Sequence, residues 1–176
     1  MSPGMHRSVP SAGLWCRMDD TTFESLMSTL SEALARVEQA ARQVPADRWD
    51  DAVHTGDGGW TRRELLAHVA ANDLRQLVRI RVGAGVAAPD DDAALAAEQR
   101  LHEWNQARVD ERRRRSVDDL LDEMRAHRAE LLALLRGLTP EQRARPMPYR
   151  GEPTPLEEMV PSLVAHLDLH ARELSV

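Results

Sequence analysis

The sequence contains almost no cysteine and very few aromatic side chains. Cys16 is the single cysteine among 176 residues, which excludes an internal disulfide and a metal site made of several cysteines. Aromatic residues make up 3% of the chain, whereas Ala, Leu, Arg and Glu are abundant. These four residue types lose little rotamer freedom in a helix, while strands favour aromatic and β-branched residues. The composition therefore predicts an all-α protein.

A surplus of positive charge and a long apolar run are also lacking. The formal net charge is −6, which argues against nucleic-acid binding because that function needs clustered Lys and Arg. One basic run, 112–115, is bracketed by acidic residues and is interpreted as a solvated helix face. No apolar segment approaches the roughly 20 residues of a membrane span, and residues 1–20 lack the apolar segment of a signal peptide. We therefore expect a cytoplasmic protein without a nucleic-acid or membrane partner.

The chain is predicted to consist of a short tail and one domain. Residues 1–20 are rich in Ser, Pro and Gly and predict a disordered tail, in which Met18 is an alternative start of translation. Residues 21–176 are long enough to bury one substantial core. Their apolar spacing predicts a four-helix bundle with long loops.

Capping signals mark the starts of the first two helices. Thr21 and Glu24, and likewise Thr61 and Glu64, have the three-residue spacing of a capping box. The apolar patterns that follow predict a first helix to about residue 43 and a second helix to about residue 82.

The second half of the chain predicts one or two further helices before the last one. A helical segment begins at about residue 93, and Ser116 within it resembles an N-cap, so the segment is either one broken helix or two helices. Residues 145–154 contain three prolines and a glycine and predict a loop. The last helix is expected to begin near Pro155, and Pro161 predicts a kink or a delayed start.

Three histidines lie at the edges of the predicted apolar helix faces. His166 and His170 are four residues apart on the last helix, so their Cβ atoms should be about 5–6 Å apart. His68 occupies the edge of the apolar face on the second helix, and facing helices of a bundle lie about 8–10 Å apart. The pattern predicts a half-open site with three nitrogen ligands, which is typical of catalytic rather than structural metal centres.

The same histidines also have an interpretation without a metal. For this composition roughly 0.27 pairs at a four-residue spacing are expected by chance, and an edge-of-core pair bonded to carbonyls or carboxylates is the alternative. Candidates for orienting the rings or positioning a substrate are Asn72, Asp73, Asp168 and Glu173. Asp73 lies near the middle of an apolar stripe, where a carboxylate needs a partner. His127 is interpreted as a core histidine.

Two segments resemble a known family. Trp60-Thr-Arg-Arg-Glu-Leu-Leu-Ala-His68-Val resembles the second-helix signature of the DinB-like, or YfiT-like, superfamily of metal-dependent hydrolases and thiol S-transferases. His166-Leu-Asp-Leu-His170 resembles the closing HxxxH motif of that superfamily, and Glu103-Trp104-Asn105 resembles its mycothiol-dependent maleylpyruvate isomerase N-terminal-like branch. Over roughly residues 21–174 the resemblance implies an up-down four-helix bundle, metal ligation by His68, His166 and His170, and a homodimer.

The chain departs from the isomerase pattern in one ligand. The isomerases have Glu where this chain has His166, so the ligand set resembles that of the three-histidine thiol transferases, and we expect the isomerase's C-terminal domain to be absent. The resemblance implies a transferase that uses Zn or Ni and a low-molecular-weight thiol such as mycothiol on an electrophilic small molecule. Asn72 or Asp73 would position the substrate. The alternatives are a non-catalytic stress-response or interaction module and a toxin-resistance hydrolase on the same fold.

Overall fold

The computed structural model describes residues 19–53, 59–88, 90–91, 100–149 and 152–176. Residues 1–18 of the predicted tail, with Cys16 and the alternative start at Met18, lie outside the described residues, and its predicted end at residue 20 is wrong because the first helix begins at Asp20 with Asp19 as its N-cap. The start of the third helical segment near residue 93 also lies outside them.

In the described part of the chain, four long helices form the bundle, and they are accompanied by two short helices, a 3-10 turn and a hairpin. The elements are α1 (Asp20–Gln43), the 3-10 turn (Ala46–Arg48), α2 (Arg62–Ala84), α3 (Leu101–Arg112), α4 (Val117–Gly137), α5 (Pro140–Arg143), β1 (Pro146–Tyr149), β2 (Glu152–Pro155) and α6 (Leu156–Leu174). Helices α1, α2, α4 and α6 enclose a core that is almost entirely aliphatic. The predicted four-helix bundle is confirmed.

The helix starts agree with their capping signals in one case and differ in another. The predicted box at the start of α2 is confirmed, because Thr61 accepts from the backbone N–H of Glu64 while its own N–H donates to the Glu64 carboxylate at 2.9 Å. The predicted box of Thr21 and Glu24 is wrong. Asp19 is the N-cap of α1, and its carboxylate accepts from the backbone N–H of Thr22 at 2.8 Å. A carboxylate placed two residues earlier thus satisfies the first turn.

The third helical segment is two helices, α3 and α4, and Ser116 is the N-cap of α4 as expected. The last helix starts near Pro155 as expected, because α6 begins at Leu156. Of the kink or delayed start predicted from Pro161, the delayed start is wrong, because α6 continues through Pro161. Pro161 is exposed and lies in the second turn of α6. The helix therefore loses only one backbone hydrogen bond on its solvent side.

The predicted loop at 145–154 is wrong, because this segment contains an antiparallel hairpin. Strand β1 pairs with β2 from Pro146 opposite Pro155 to Tyr149 opposite Glu152. Proline lacks the N–H of a sheet ladder, so its frequency here predicts a loop, yet an isolated two-stranded ribbon has edges that tolerate it. Met147 of β1 is buried against Gly83 of α2, where a Cβ atom would lie 2.9 Å from the Met147 sulfur.

Contacts at the two ends of the bundle define the directions of its helices. At one end Arg143 pairs with Asp20, and Gln142 donates to the carbonyl of Ala84, so the start of α1 meets the ends of α2 and α4. At the other end Arg62, at the start of α2, donates to the carbonyl of Val176 after α6. Helices α2 and α4 therefore run in the same direction. The crossover that contains α3 joins them, so the bundle departs here from simple up-down connectivity.

Among the described residues, no helix is long and apolar enough to cross a membrane. Helix α3 differs from the bundle helices because Val109 is its one buried residue. It packs against the outer face of α2, which is also the helix that carries His68.

Candidate metal centre

The three predicted ligand histidines converge between α2 and α6. His68 comes from α2, and His166 and His170 come from α6; one nitrogen of each ring lies within 4.8 Å of those of the other two. The ring centroids are 5.7 Å apart for His68 and His166, 5.2 Å for His68 and His170, and 4.3 Å for His166 and His170. His68 and His170 are buried, whereas His166 is half-buried. The cluster therefore has one accessible side.

Local packing holds the histidine of α2 in place. The capping box at Thr61 fixes the first turn of α2, and Trp60 immediately before it lies against the His68 ring, with centroids 4.7 Å apart. The Trp60 indole N–H donates to the side-chain oxygen of Gln106 at 3.3 Å. This bond connects α3 to the start of α2 beside the site.

Two polar side chains contact the ligand rings from behind. The Glu173 carboxylate lies 2.7 Å from Nδ1 of His170, and it is one of the predicted orienting groups. The Asn72 amide nitrogen lies 3.5 Å from Nδ1 of His166, and its oxygen accepts from Arg75 and from Gln76, the latter at 3.2 Å. Carboxylates and amides in such positions fix the orientation of a ligand ring.

The donor set fits a divalent cation such as Zn²⁺. Imidazole nitrogens suit zinc and nickel, and three of them leave coordination positions for a substrate or water. Nε2 of His166 and Nε2 of His170 are 3.0 Å apart, so both point into the same space. Glu173 contacts the opposite nitrogen of His170, which leaves Nε2 facing that space. The described residues thus supply three candidate ligands and polar contacts to two of their rings.

Asp73 has its partner elsewhere in the bundle. It lies about 140° around α2 from His68, and its carboxylate accepts from Nε of Arg128 at 2.7 Å. Burial raises the pKa of the Asp73 carboxyl, and the neighbouring Arg128 charge opposes this rise. Arg128 is therefore the partner that the sequence predicted for Asp73, and the described contacts of Asp73 are those of an ion pair in the core. Its role in positioning a substrate stays a prediction.

The other candidate residues lie outside the triad. Asp168 is on α6 but pairs with Arg36 of α1 at 2.9 Å. His127 is half-buried on α4, consistent with a packed histidine, and His102 is exposed on α3.

Sequence reasoning named Trp104 but missed the basic residues around it, and it also missed Tyr149. The guanidinium carbons of Arg75 and Arg108 each lie 5.8 Å from the ring centroid of Trp104. Arg79 lies similarly against Tyr149, whose hydroxyl is 2.7 Å from Oγ of Ser162. A signal existed for the residues on α2, because positions 68, 72, 75 and 79 follow the spacing of one helix face.

The fold and the three-histidine cluster define a class of helical-bundle protein with a centre suited to a metal. The chain belongs to the DinB superfamily, whose family model matches residues 29–174.

Solved structures of two proteins share the fold. YfiT from Bacillus subtilis, described as a probable metal-dependent hydrolase with an unusual four-helix bundle topology, superposes with a TM-score of 0.68 at 20% identity, over 90% of this chain and 86% of YfiT. The mycothiol-dependent maleylpyruvate isomerase superposes with a TM-score of 0.68 at 16% identity, over 88% of this chain and 61% of the isomerase. This chain thus spans about three fifths of the isomerase's length. No match was found among curated proteins.

Proposed function

We propose that this protein is a divalent-metal-dependent transferase that joins a low-molecular-weight thiol to an electrophilic small molecule. The observation that carries the proposal is the convergence of three imidazoles from two helices on one partly accessible space. In the proposed enzyme His68, His166 and His170 hold Zn²⁺ or Ni²⁺. The bound cation supplies Lewis acidity, which favours the deprotonated, nucleophilic form of a thiol.

The other residues of the site act by orientation and by excluding water. Glu173 fixes the His170 ring through its 2.7 Å contact with Nδ1. Trp60 covers one side of His68 and limits access of solvent to that ring. Asn72 is held by Arg75 and Gln76 beside His166, where it would position a ligand.

The cysteine content of the chain supports a thiol that comes from outside the protein. The described residues contain no cysteine, and Cys16 lies outside them. In the proposed reaction the nucleophilic thiol is that of a small molecule, so the reaction needs no cysteine of the chain. The shared fold with a mycothiol-dependent enzyme makes mycothiol the first thiol to test.

A hydrolase is the second candidate, and the observation that favours it is the similarity to YfiT, itself described as a probable metal-dependent hydrolase. In that case a water molecule would replace the thiol as the nucleophile. The substrate of such a hydrolase could be a toxin, which corresponds to the toxin-resistance alternative. A non-catalytic stress-response or interaction module is the third candidate. Homodimerisation and a cytoplasmic location stay predictions alongside these proposals.

The first test is elemental analysis of protein purified without a histidine tag. We expect about one metal ion per chain in the wild type and a loss of metal in a His166→Ala/His170→Ala variant. His102→Ala is the matched control, because His102 is exposed on α3 and lies outside the triad. Absence of metal from the wild type, even after incubation with zinc or nickel, would refute the proposal and leave the non-catalytic module.

The second test separates the two enzymatic candidates. Zinc-loaded protein is incubated with 1-chloro-2,4-dinitrobenzene, with and without mycothiol, and the products are identified by mass spectrometry. A thiol conjugate whose formation requires the triad supports the transferase. A triad-dependent phenol, formed equally with and without thiol, supports the hydrolase.

A further inference from the structure

We propose that a carboxylate-binding subsite lies beside the metal centre, formed by Arg75 of α2 and Arg108 of α3 around Trp104. This inference rests on the proposed function, because it states the chemistry of a ligand that the same site would take: a small carboxylate that also carries an N–H or O–H donor.

Two cations share one indole ring at this position. Arg75 and Arg108 come from different helices, and the guanidinium carbon of each lies 5.8 Å from the Trp104 centroid. Arg75 and Trp104 are half-buried, and the Arg108 side chain is 38% exposed. Two guanidinium groups gathered on one ring attract an anion.

Two buried polar atoms next to Trp104 lack partners. Among the described residues, Nε of Arg108 and Oδ1 of Asn105 are buried and neither makes a hydrogen bond. They are three positions apart on α3, so they are neighbours on one face of that helix. Buried polar atoms are costly to leave unpaired and are usually satisfied by protein, water or a ligand. An N–H donor and a carbonyl acceptor side by side match a carboxylate with a nearby N–H or O–H group.

A chain of contacts joins this subsite to the triad. Arg75 donates from Nε to the oxygen of Asn72 at 3.0 Å, and the Asn72 amide nitrogen lies 3.5 Å from Nδ1 of His166. Residues 68, 72 and 75 occupy successive turns of α2, which rises about 1.5 Å per residue. A ligand whose reacting group is at the histidines would thus place a carboxylate two turns away, at Arg75 and Arg108.

One carboxylate competes for the same cation. Glu111 lies 2.7 Å from a terminal nitrogen of Arg108, and both side chains of this pair are at the surface, 49% and 38% exposed. An exposed pair contributes little free energy and is screened by salt. A ligand carboxylate at the buried Nε side of Arg108 would be less screened. Removal of the Glu111 charge should therefore strengthen ligand binding.

The carboxylate could belong to the thiol or to the electrophile, and two matched pairs of probes distinguish these sources. N-acetylcysteine and its amide form the thiol pair, and N-(4-chloro-3-nitrobenzoyl)glycine, which carries an amide N–H beside its carboxylate, and its amide form the electrophile pair. Dissociation constants are measured by titration calorimetry with the full chain. We expect the acid of at least one pair to bind about tenfold more tightly than its amide, the usual scale for a hydrogen bond to a charged group. Equal affinity within both pairs overturns the subsite.

Variants assign the preference to the proposed residues. Arg108→Gln and, independently, Arg75→Gln should reduce the acid-over-amide ratio to near one, whereas Glu111→Gln should increase it. Arg113→Gln is the control, because Arg113 is an exposed arginine at the end of the same helix. Circular dichroism verifies that each variant is folded. If one of the two arginine variants does not fold, the other still tests the proposal. A ratio that is unchanged in the folded arginine variants overturns the proposal.

A probe without a thiol separates this inference from the proposed function. N-acetylalanine and N-(4-chloro-3-nitrobenzoyl)glycine, each beside its amide, are titrated into the His166→Ala/His170→Ala variant, which has no triad. Retention of the acid preference there supports a subsite of α2 and α3 even if the wild type proves to bind no metal. Loss of the preference in this variant, with Arg75 and Arg108 intact, contradicts a subsite formed by those two arginines.

Discussion

The buried pair of Asp73 and Arg128 should be the most sensitive polar feature of the bundle. Asp73 is 3% exposed and Arg128 is 5% exposed. Besides the 2.7 Å bond to Asp73, Arg128 donates to the backbone carbonyl of Leu34 at 2.7 Å. One guanidinium therefore connects α4 to α2 and to α1.

We predict that Arg128→Met lowers the free energy of unfolding by about 3–5 kcal/mol, because it leaves a buried carboxylate without its cation. Asp73→Asn should cost a similar amount, since it leaves the buried charge of Arg128 without a counter-charge. The double variant should cost much less than the sum of the two, because both buried charges are gone. One terminal nitrogen of Arg128, Nη2, is buried and has no hydrogen-bond partner among the described residues. This lowers the contribution of the pair to the free energy of unfolding of the wild type.

The free energies of unfolding of the wild type, the two single variants and the double variant are measured by urea unfolding followed by circular dichroism at 222 nm. An unchanged m-value verifies that unfolding exposes the same surface in all four proteins, so their free energies can be compared. A coupling free energy below about 1 kcal/mol would refute the reasoning.

The stability that this pair contributes should also depend on pH. Because the pKa of Asp73 is raised by burial against the opposing charge of Arg128, the folded state holds its proton more firmly than the unfolded state. Its contribution to stability should therefore decrease as the pH rises above about 4, and this decrease should be absent in Asp73→Asn.

Three further predictions concern the ion pair at Glu123, the hairpin and the metal ligands. Burial raises the pKa of Glu123. The hydrogen bond from Arg112 and the charges of Arg112 and Arg115 lower this pKa by more than burial raises it, so the pKa lies below its ordinary value. The ionised Glu123 carboxylate should therefore add to the free energy of unfolding above about pH 4.3, and this addition should be lost at lower pH. Glu123→Gln should remove this pH dependence, which is measured by acid titration followed by circular dichroism. Gly83→Ala should destabilise the protein by about 1–3 kcal/mol, because its Cβ would lie 2.9 Å from the Met147 Cβ, which a change of side-chain rotamer does not move. The control Gly137→Ala, with nothing within 4 Å of its Cβ, should be near neutral in the same thermal melts, and equal losses would contradict this explanation. Glu173→Gln should weaken zinc binding about 10–100-fold in competition with a chromophoric chelator, with little change in melting temperature; unchanged affinity would show that Glu173 does not orient His170.

Local sequence signals predicted well where one residue's chemistry decides the outcome. Thr61 and Glu64 satisfy each other's backbone and side-chain groups within one turn, so the start of α2 followed from spacing alone. The prediction for α1 was wrong because Asp19 and Thr21 are both good N-caps, and spacing does not rank them. The hairpin was missed because proline favours loops, whereas burial of Met147 against Gly83 stabilises the strand.

The sequence by itself determined the helical class, the edge positions of the three histidines and the need of Asp73 for a partner. Each of these depends on periodicity or on the energetics of one side chain, which are local properties. Only the tertiary structure decided that α2 and α6 are neighbours, that Arg128 is the partner of Asp73, and that α3 brings Trp104 and Arg108 to the side of the site. Those contacts join residues far apart in the chain, and the packing of whole helices selects them, because a helix face alone does not specify which other face it meets.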